Sequence, residues 1–173
     1  MMNMANLIIM CGNTGVGKTY IANLISQKTG YKHIRGSEVM AESEEKPPEP
    51  WPHEFRVRNY KRMFDKARSL LENDESVIID TLFNREEFRK GAKKLTEETG
   101  SNYIPIEVTC DEKIVSKRLY ERVRDRDRGG TPHFKIHKLR GKEFEPIKEP
   151  HITIDNSSGD IEKKIDDIIS KLV

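Results

Sequence analysis

The chain has 173 residues, of which 35% are hydrophobic and 35% are charged. Domains commonly contain about 100–200 residues, so the length predicts a single domain over residues 1–173 with enough apolar residues for a core. Lysine and arginine (31) nearly balance aspartate and glutamate (29), which gives a formal net charge of +2. Overall charge therefore gives no support for a nucleic-acid coat or a membrane-surface protein, although it leaves room for a local basic patch.

Hydropathy and cysteine content constrain the cellular compartment. No apolar run approaches the roughly 18 residues of a membrane helix, and the segment before residue 7 has no basic cluster of the signal-peptide kind. Cys11 and Cys110 each end an apolar run, which predicts two buried free thiols rather than a disulfide. With no address signal, the expected location is the cytoplasm and no membrane partner is expected.

Short β-branched runs alternate with longer segments of helical periodicity, which predicts βαβ units around a parallel sheet. Strands are predicted over residues 7–11, 32–35, 77–80, 103–108 and 152–155. Helices are predicted over residues 17–29, 54–73, 85–99, 112–124, 133–143 and 161–172. The acidic, proline-rich segment 41–52 is predicted to be an exposed, flexible loop.

This order of elements predicts an α/β three-layer sandwich with right-handed crossovers. In such folds ligands bind at the carboxyl ends of the parallel strands. The segments that follow four of the predicted strands should therefore line one rim of the sheet. These segments are residues 12–19, 36–38, 80–85 and 155–157.

The residues after the first strand match the phosphate-binding pattern G-x-x-x-x-G-K-[ST]. They read Gly12-Asn13-Thr14-Gly15-Val16-Gly17-Lys18-Thr19. Glycines let several backbone N–H groups point at one anion, and the next helix adds the positive end of its dipole. Lys18 is predicted to reach the β- and γ-phosphates and Thr19 to bind Mg²⁺, and the adjacent Tyr20 joins the candidate nucleotide-binding residues.

Motifs outside the loop narrow the class of nucleotide-binding protein. A GTPase needs an N/T-K-x-D segment, which the sequence lacks, and Phe83 stands where the switch glycine of a GTPase would be. A large ATPase motor would end its third strand in Asp-Glu, whereas this strand ends in Asp80-Thr81. These observations leave kinases that act on small molecules or polynucleotides.

The whole chain resembles the small P-loop kinases related to the kinase domain of polynucleotide 5′-hydroxyl kinases. It also resembles AAA-domain kinases of the zeta-toxin and gluconate-kinase type. The resemblance spans residues from about 5 to 170 and implies a P-loop NTPase fold with the adenylate-kinase-like strand order 2-3-1-4-5. Besides the P-loop, it rests on Ser37-Glu38, Ile78-Ile79-Asp80-Thr81, the arginine-rich segment, Phe144-Glu145-Pro146 and Pro150-His151-Ile152-Thr153-Ile154-Asp155.

The resemblance implies an acceptor site after the second strand. The family has a Ser-Asp pair there, and the matching positions are Ser37 and Glu38, so Glu38 would act as general base toward the acceptor hydroxyl. The family also places an arginine about three residues later, where this chain has Met40 and Ala41. An arginine elsewhere could replace this clamp on the acceptor phosphate. The candidates are Arg35, Arg56 and Arg58.

An arginine-rich lid is expected over residues 122–134. Arg118 and Arg122 are four residues apart and therefore share a helix face. The resemblance implies that this pair, with Arg126 as a third candidate, reaches over the phosphates and stabilises the transferring group. Because aspartates interleave with the arginines, a solvated charged helix end is the alternative interpretation.

Polar residues at two other strand ends are further candidates. Asp80 ends a buried strand beside the P-loop, where a carboxylate can hold Mg²⁺ through water, although an ordinary turn aspartate is the alternative. Asn84 and Arg85 could touch the acceptor or a phosphate. Asp155-Asn156-Ser157 could flank the adenine, an arrangement that turn chemistry explains equally well.

Aromatic residues follow the proline-rich loop. Trp51, His53, Phe55 and Tyr60 could stack on an acceptor base or could anchor the long helix to the core. The anchoring role is favoured for Phe55 and Tyr60.

The sequence thus predicts a kinase that uses ATP and Mg²⁺ to phosphorylate an acceptor hydroxyl, either a nucleic-acid 5′-OH or a nucleoside or nucleotide. Two alternatives stay open. One is a small-metabolite kinase of the gluconate-kinase or zeta-toxin type, and the other is a nucleotide-binding regulatory module with little turnover. The sequence does not distinguish a monomer from a dimer.

Overall fold

The computed structural model describes residues 4–48, 50–125 and 133–172, without the side chains of 122–125, 133, 134 and 136. The strands are β1 (Asn6–Cys11), β2 (Lys32–Arg35), β3 (Val77–Asp80), β4 (Asn102–Thr109) and β5 (Ile152–Asp155). The helices are α1 (Lys18–Thr29), α2 (Gly36–Ala41), α3 (His53–Leu71), α4 (Glu86–Thr99), α5 (Glu112–Asp125), α6 (His133–Lys142) and α7 (Ile161–Leu172).

The five strands form one parallel sheet in the order β2-β3-β1-β4-β5, which confirms the predicted fold. Met10 of β1 and Arg35 of β2 both pair with Asp80 of β3, while Cys11 pairs with Glu107 of β4. These registers bring the carboxyl ends of the first three strands to one rim, where the predicted site residues follow.

The central strand explains why the fold has three layers. All six residues of β1 are buried, because helices cover the sheet on both faces. Leu7 and Ile9 pack with side chains of α3 and α4, whereas Ile8 and Met10 pack with side chains of α1 and α7. The strand is therefore apolar on both faces, and functional polar residues can follow only at its carboxyl end.

The region between β2 and α3 differs in part from the prediction. The helix α2 was not predicted, since six residues are too few to show helical periodicity. Most of the following loop is exposed, as expected, but Ser43 is buried, and Glu45 accepts a hydrogen bond from Arg58 Nε at 2.8 Å. The loop is therefore tied to α3 by several ion pairs, which include Glu42 with Lys66 at 2.9 Å and Glu45 with Arg58.

Both cysteines are free thiols, as predicted, but only Cys11 is fully buried, and Cys110 is half-buried. Burial raises the pKa of the Cys11 thiol to about 12, so this thiol is protonated and inert at neutral pH. None of the helices in the described part of the chain is long and apolar enough to cross a bilayer.

Candidate active site

The P-loop connects the buried β1 to the first turn of α1. Gly17 adopts φ 99° immediately before Lys18, a left-handed conformation that glycine adopts without the strain that a Cβ brings. The Lys18 Nζ donates hydrogen bonds to the carbonyls of Gly12 and Asn13, at 2.7 and 2.9 Å. The loop therefore surrounds the Lys18 ammonium group at the positive end of α1.

Side chains from two other elements hold the loop in shape. Asn156 Nδ2, at the end of β5, donates to the carbonyl of Val16 at 2.9 Å, and Arg118 Nη1 of α5 donates to the carbonyl of Gly15 at 3.3 Å. Asp155 Oδ1 accepts from the Ser157 backbone N–H at 2.9 Å. The contacts of residues 155–157 are therefore those of a turn that supports the P-loop.

Gly17→Ala should destabilise this loop. A Cβ at Gly17 would overlap Asn156 Nδ2, and the positive φ adds strain of about 1–3 kcal/mol for a residue with a side chain. We expect a lower thermal midpoint and weaker ATP binding than in Gly159→Ala, because a Cβ at Gly159 meets no atom within 4 Å. Calorimetry of unfolding and of nucleotide binding measures both effects. Equal behaviour of the two variants would show that the loop tolerates a side chain at position 17.

A carboxylate lies beside the first turn of α1. Thr19 Oγ1 donates to Asp80 Oδ2 at 2.6 Å, and His33 Nε2 lies 3.2 Å from the same oxygen. Asp80 is 6% exposed. Burial alone would raise the pKa of Asp80, but the hydrogen bonds from His33 and Thr19 and the charge of Lys18 outweigh it and lower the pKa. Asp80 is therefore ionised at neutral pH.

The donor set at this position fits Mg²⁺. A hydroxyl and an ionised carboxylate are hard oxygen ligands, and Mg²⁺ usually takes one or two protein ligands together with water and substrate phosphates. Thr19 and Asp80 are in direct contact beside the loop that would hold those phosphates. His33 was not among the predicted site residues, and its only sequence signal is its place on a short strand next to β3.

Glu38 lies on the same rim but faces outward. It belongs to α2, which packs closely against the turn after β3, since a Cβ at Gly36 would lie 2.8 Å from Thr81 Oγ1. The Glu38 side chain is 63% exposed and forms an ion pair with Arg35 at 3.2 Å. Its position near the end of β2 agrees with the expected acceptor side of the sheet, and its role as a base stays a prediction.

The structure describes only some of the remaining predicted residues. Arg118 contacts the P-loop, and Arg122 follows one helical turn later in α5, but its side chain is outside the described part of the structure. Arg126 lies outside the described residues, as do residues 126–132 of the predicted lid. Tyr20 is 52% exposed on α1.

The helix α6 contacts the P-loop in a way that the sequence did not predict. The carbonyl of His137 accepts a hydrogen bond from Asn13 Nδ2 at 2.7 Å, and His137 Nδ1 lies 2.9 Å from the carbonyl of Thr14. His137 Nε2 lies 2.9 Å from Glu112 Oε1. A cavity of about 460 Å³ lies between the loop, the end of β4 and α6, within the size range of small-molecule sites.

Aromatic packing anchors α3, as favoured for Phe55 and Tyr60. Both residues are buried, and the Tyr60 ring stacks on Phe88 with 3.9 Å between centroids. The Phe83 backbone N–H donates to the Tyr60 hydroxyl at 2.9 Å. Burial raises the pKa of Tyr60 to about 12, so the phenol is neutral at physiological pH. Trp51 is half-buried and its ring centroid lies 6.3 Å from that of Phe55.

Two arginines converge below this rim. Arg56 of α3 and Arg140 of α6 both donate to Glu143 Oε2, at 3.3 and 2.8 Å. Arg56 also donates to Asn84 Oδ1 at 2.6 Å. Arg85 lies closer to the surface, where its Nε is 3.2 Å from Glu87 Oε1. Arg56 and Asn84, both named as candidates from the sequence, are therefore in direct contact.

Glu143→Gln should change the pH dependence of stability. Burial raises the pKa of Glu143, but the hydrogen bond from Arg140 and the charges of Arg140, Arg56 and Arg85 lower it, so the net shift is downward. The carboxylate thus stabilises the folded state above its usual pKa of 4.5, and this contribution is lost as the pH falls through the folded pKa. Thermal unfolding should show a deficit at pH 7 that shrinks below pH 4. The exposed Glu44→Gln is the control, and a deficit independent of pH would contradict the expectation.

A family model described as an AAA domain matches residues 7–145. No curated protein sequence matches the chain. Three solved structures, all at low sequence identity, share the fold over nearly the whole chain. They are a suspected kinase from Chloroflexus aurantiacus (TM-score 0.78, 15% identity, 97% of this chain and 98% of that chain), the APS kinase CysC of Mycobacterium tuberculosis with AMPPNP and APS (0.73, 16%, 99% and 99%), and a gluconokinase from Sinorhizobium meliloti (0.71, 16%, 99% and 93%).

The likeness to these structures establishes a kinase-like fold. The family match covers the P-loop, the Thr19–Asp80 contact and the helices that contact the loop. It extends through Glu145 and therefore includes Arg56 and Arg140. Since the matched residues make up most of the chain, the protein belongs to this AAA-domain family.

Proposed function

We propose that the protein is a kinase that transfers the γ-phosphate of ATP to an acceptor hydroxyl in the presence of Mg²⁺. The observation that carries the proposal is the contact between Thr19 and the ionised Asp80 beside a P-loop that encloses the Lys18 ammonium. An ammonium, a hard-oxygen ligand pair and a helix N-terminus at one point match the needs of phosphoryl transfer, which depends on positioning and charge neutralisation.

Each residue has a defined task in this proposal. The loop amides and Lys18 bind the β- and γ-phosphates, and Thr19 and Asp80 would hold Mg²⁺, which would neutralise charge on the phosphate oxygens. Arg118 supports the loop and, with Arg122 and Arg126, supplies positive charge around the transferring group. Glu38 orients the acceptor hydroxyl and accepts its proton.

The acceptor that we favour is a nucleic-acid 5′-OH or a nucleoside or nucleotide, from the resemblance to polynucleotide kinases. A small metabolite is the alternative, and the fold shared with a gluconokinase and an APS kinase supports it. Salt dependence separates the two, because a polymer that releases counterions gives a steep loss of affinity with salt.

The test is transfer of radiolabel from ATP to a panel of acceptors. The panel contains hydroxyl-ended DNA and RNA, nucleosides, nucleotides, sugars and sugar acids, each with Mg²⁺ and with a chelator in its place. Lys18→Ala, purified in the same way, identifies activity from contaminating kinases. Labelling of one class that requires the metal and wild-type protein is the expected result.

A nucleotide-binding module with little turnover is the second candidate. The exposed Glu38 favours it, because an ion pair with Arg35 holds the expected base. In this case the protein binds ATP in calorimetry but labels no acceptor in the panel. That outcome would reject the kinase proposal and leave the nucleotide site intact.

A further inference from the structure

The buried layer of side chains below the P-loop carries an excess of positive charge. Arg56 is 7% exposed and Arg140 is 3% exposed, yet both guanidinium groups share the carboxylate of Glu143, which is their one carboxylate partner among the described residues. Burial lowers the pKa of Arg56, and the nearby charge of Arg140 lowers it further. Two buried cations on one anion are electrostatically incomplete, because removal of a charge from water is costly without a full partner.

Asn84 adds an unused hydrogen-bond donor to this layer. Its side chain is fully buried, and its Nδ2 has no hydrogen-bond partner among the described residues. The amide orientation is fixed, since Oδ1 accepts from Arg56 Nη2 and a guanidinium has no acceptor for a flipped NH₂ group. A buried NH₂ group without a hydrogen-bond partner is destabilising, and an oxygen acceptor would remove this cost.

This layer adjoins the phosphate-binding loop on two sides. Gly12 N–H donates to the carbonyl of Leu82 at 3.1 Å, two residues before Asn84. On the other side, His137 contacts the loop one turn before Arg140 on α6. Asn84 and Arg140 are therefore each connected to the phosphate-binding loop through a short segment of chain.

The backbone before Asn84 is strained. Phe83 adopts φ 46°, which is unusual for a bulky residue. Its N–H is held by the Tyr60 hydroxyl and its carbonyl accepts from Arg89 Nη1 at 2.7 Å. Such strain persists only where surrounding contacts enforce it, and it is concentrated at functional sites. Here it buries the Phe83 ring and places Asn84 against Arg56.

We propose that Arg56, Arg140 and Asn84 bind an oxyanion of the acceptor, so that the substrate carries a phosphate, sulfate or carboxylate group besides its reacting hydroxyl. This inference rests on the proposed kinase function. Glu143 lies in the turn after α6 with its side chain 29% exposed, and it moves aside when the oxyanion takes its place on the guanidinium groups. The site combines groups from α3, α6 and the turn after β3, in a chain that has Met40 and Ala41 where the resemblance implies an arginine for the acceptor phosphate.

The first test measures anion binding without turnover. Wild-type protein is saturated with Mg²⁺ and AMPPNP, so that the P-loop is occupied, and thermal midpoints are compared in sodium sulfate and in sodium chloride of equal ionic strength. We expect sulfate to raise the midpoint, and Arg56→Lys to lose this increment because lysine lacks the planar fork that matches an oxyanion. Arg68→Lys, at an arginine on the same helix whose side chain is 40% exposed, is the matched control and keeps the increment. An equal increment in all three proteins would overturn the proposal.

The second test compares acceptors that differ in one anionic group. The pairs are adenosine 3′-phosphate with adenosine and gluconate with glucose, which separate the phosphate and carboxylate sources. A charge-assisted hydrogen bond contributes about 1.5–3 kcal/mol, so wild type should prefer the charged member at least tenfold in kcat/KM. Arg56→Lys should lose this preference, whereas the control Arg68→Lys should keep both the preference and the rate on the neutral member. No preference in wild type would reject the oxyanion site, whereas ATP binding without labelling of any acceptor would reject the kinase function and leave the sulfate test to decide.

Discussion

Lys18→Ala should reduce phosphoryl transfer about a thousandfold or more while the protein stays folded. The Lys18 ammonium lies inside the P-loop on the carbonyls of Gly12 and Asn13, where it can turn to the β- and γ-phosphates. Loss of one preorganised donor to a transition-state charge commonly costs about a hundred- to a thousandfold in kcat, and a full positive charge near a triphosphate should lie at the upper end. Initial rates of label transfer and calorimetry of ATP binding measure the effect.

Lys28→Ala is the matched control for this variant. Lys28 lies on the same helix and forms a surface ion pair with Asp166, which solvent screens and which therefore contributes little to stability. We expect wild-type transfer from Lys28→Ala and similar thermal midpoints for all three proteins. Full activity in Lys18→Ala would reject the assigned phosphate site, and unfolding of Lys18→Ala alone would show that its role is structural.

The sequence predicts the parts of this protein that depend on local patterns. The P-loop has a fixed spacing that starts at Gly12, and Asp80 ends a short apolar run, so the sequence alone places both on the rim. The fold follows from the same kind of signal, because runs such as Leu7 to Cys11 are apolar on both faces and alternate with helical periodicity.

The contacts that complete the site depend on residues far apart in the chain. His33 and Asp80 are 47 residues apart, and His137 lies 123 residues from Thr14. Arg56 and Glu143 are separated by 87 residues. No local pattern connects such pairs. Each of these residues is polar or charged, and residues of these types most often lie on the solvated surface. Glu38 shows the converse, since a local resemblance marks it as a base although its side chain is mostly exposed.

Asp80→Asn should reduce transfer about a hundredfold or more and raise the Mg²⁺ concentration needed for half-maximal rate. The amide keeps an oxygen that can accept from Thr19, as Asp80 Oδ2 does at 2.6 Å, so the local packing has a replacement hydrogen bond. What the variant lacks is the negative charge that attracts a hard cation. Rates measured across Mg²⁺ and Mn²⁺ titrations separate weaker metal binding from a lower rate at saturating metal. Mn²⁺ binds oxygen and nitrogen ligands more readily, so it should recover part of the rate.

The control for this charge is Asp65→Asn, an exposed aspartate on α3 that should leave both rate and metal dependence unchanged. The decisive quantity is the metal concentration at half-maximal rate rather than the rate itself. A slower enzyme with an unchanged metal dependence would mean that Asp80 acts through its contacts with Thr19 and His33, and that the metal is held by the substrate phosphates. A raised metal requirement with a preserved thermal midpoint would instead assign to the buried carboxylate the role that its lowered pKa permits, that of an ionised ligand beside the transferring phosphate.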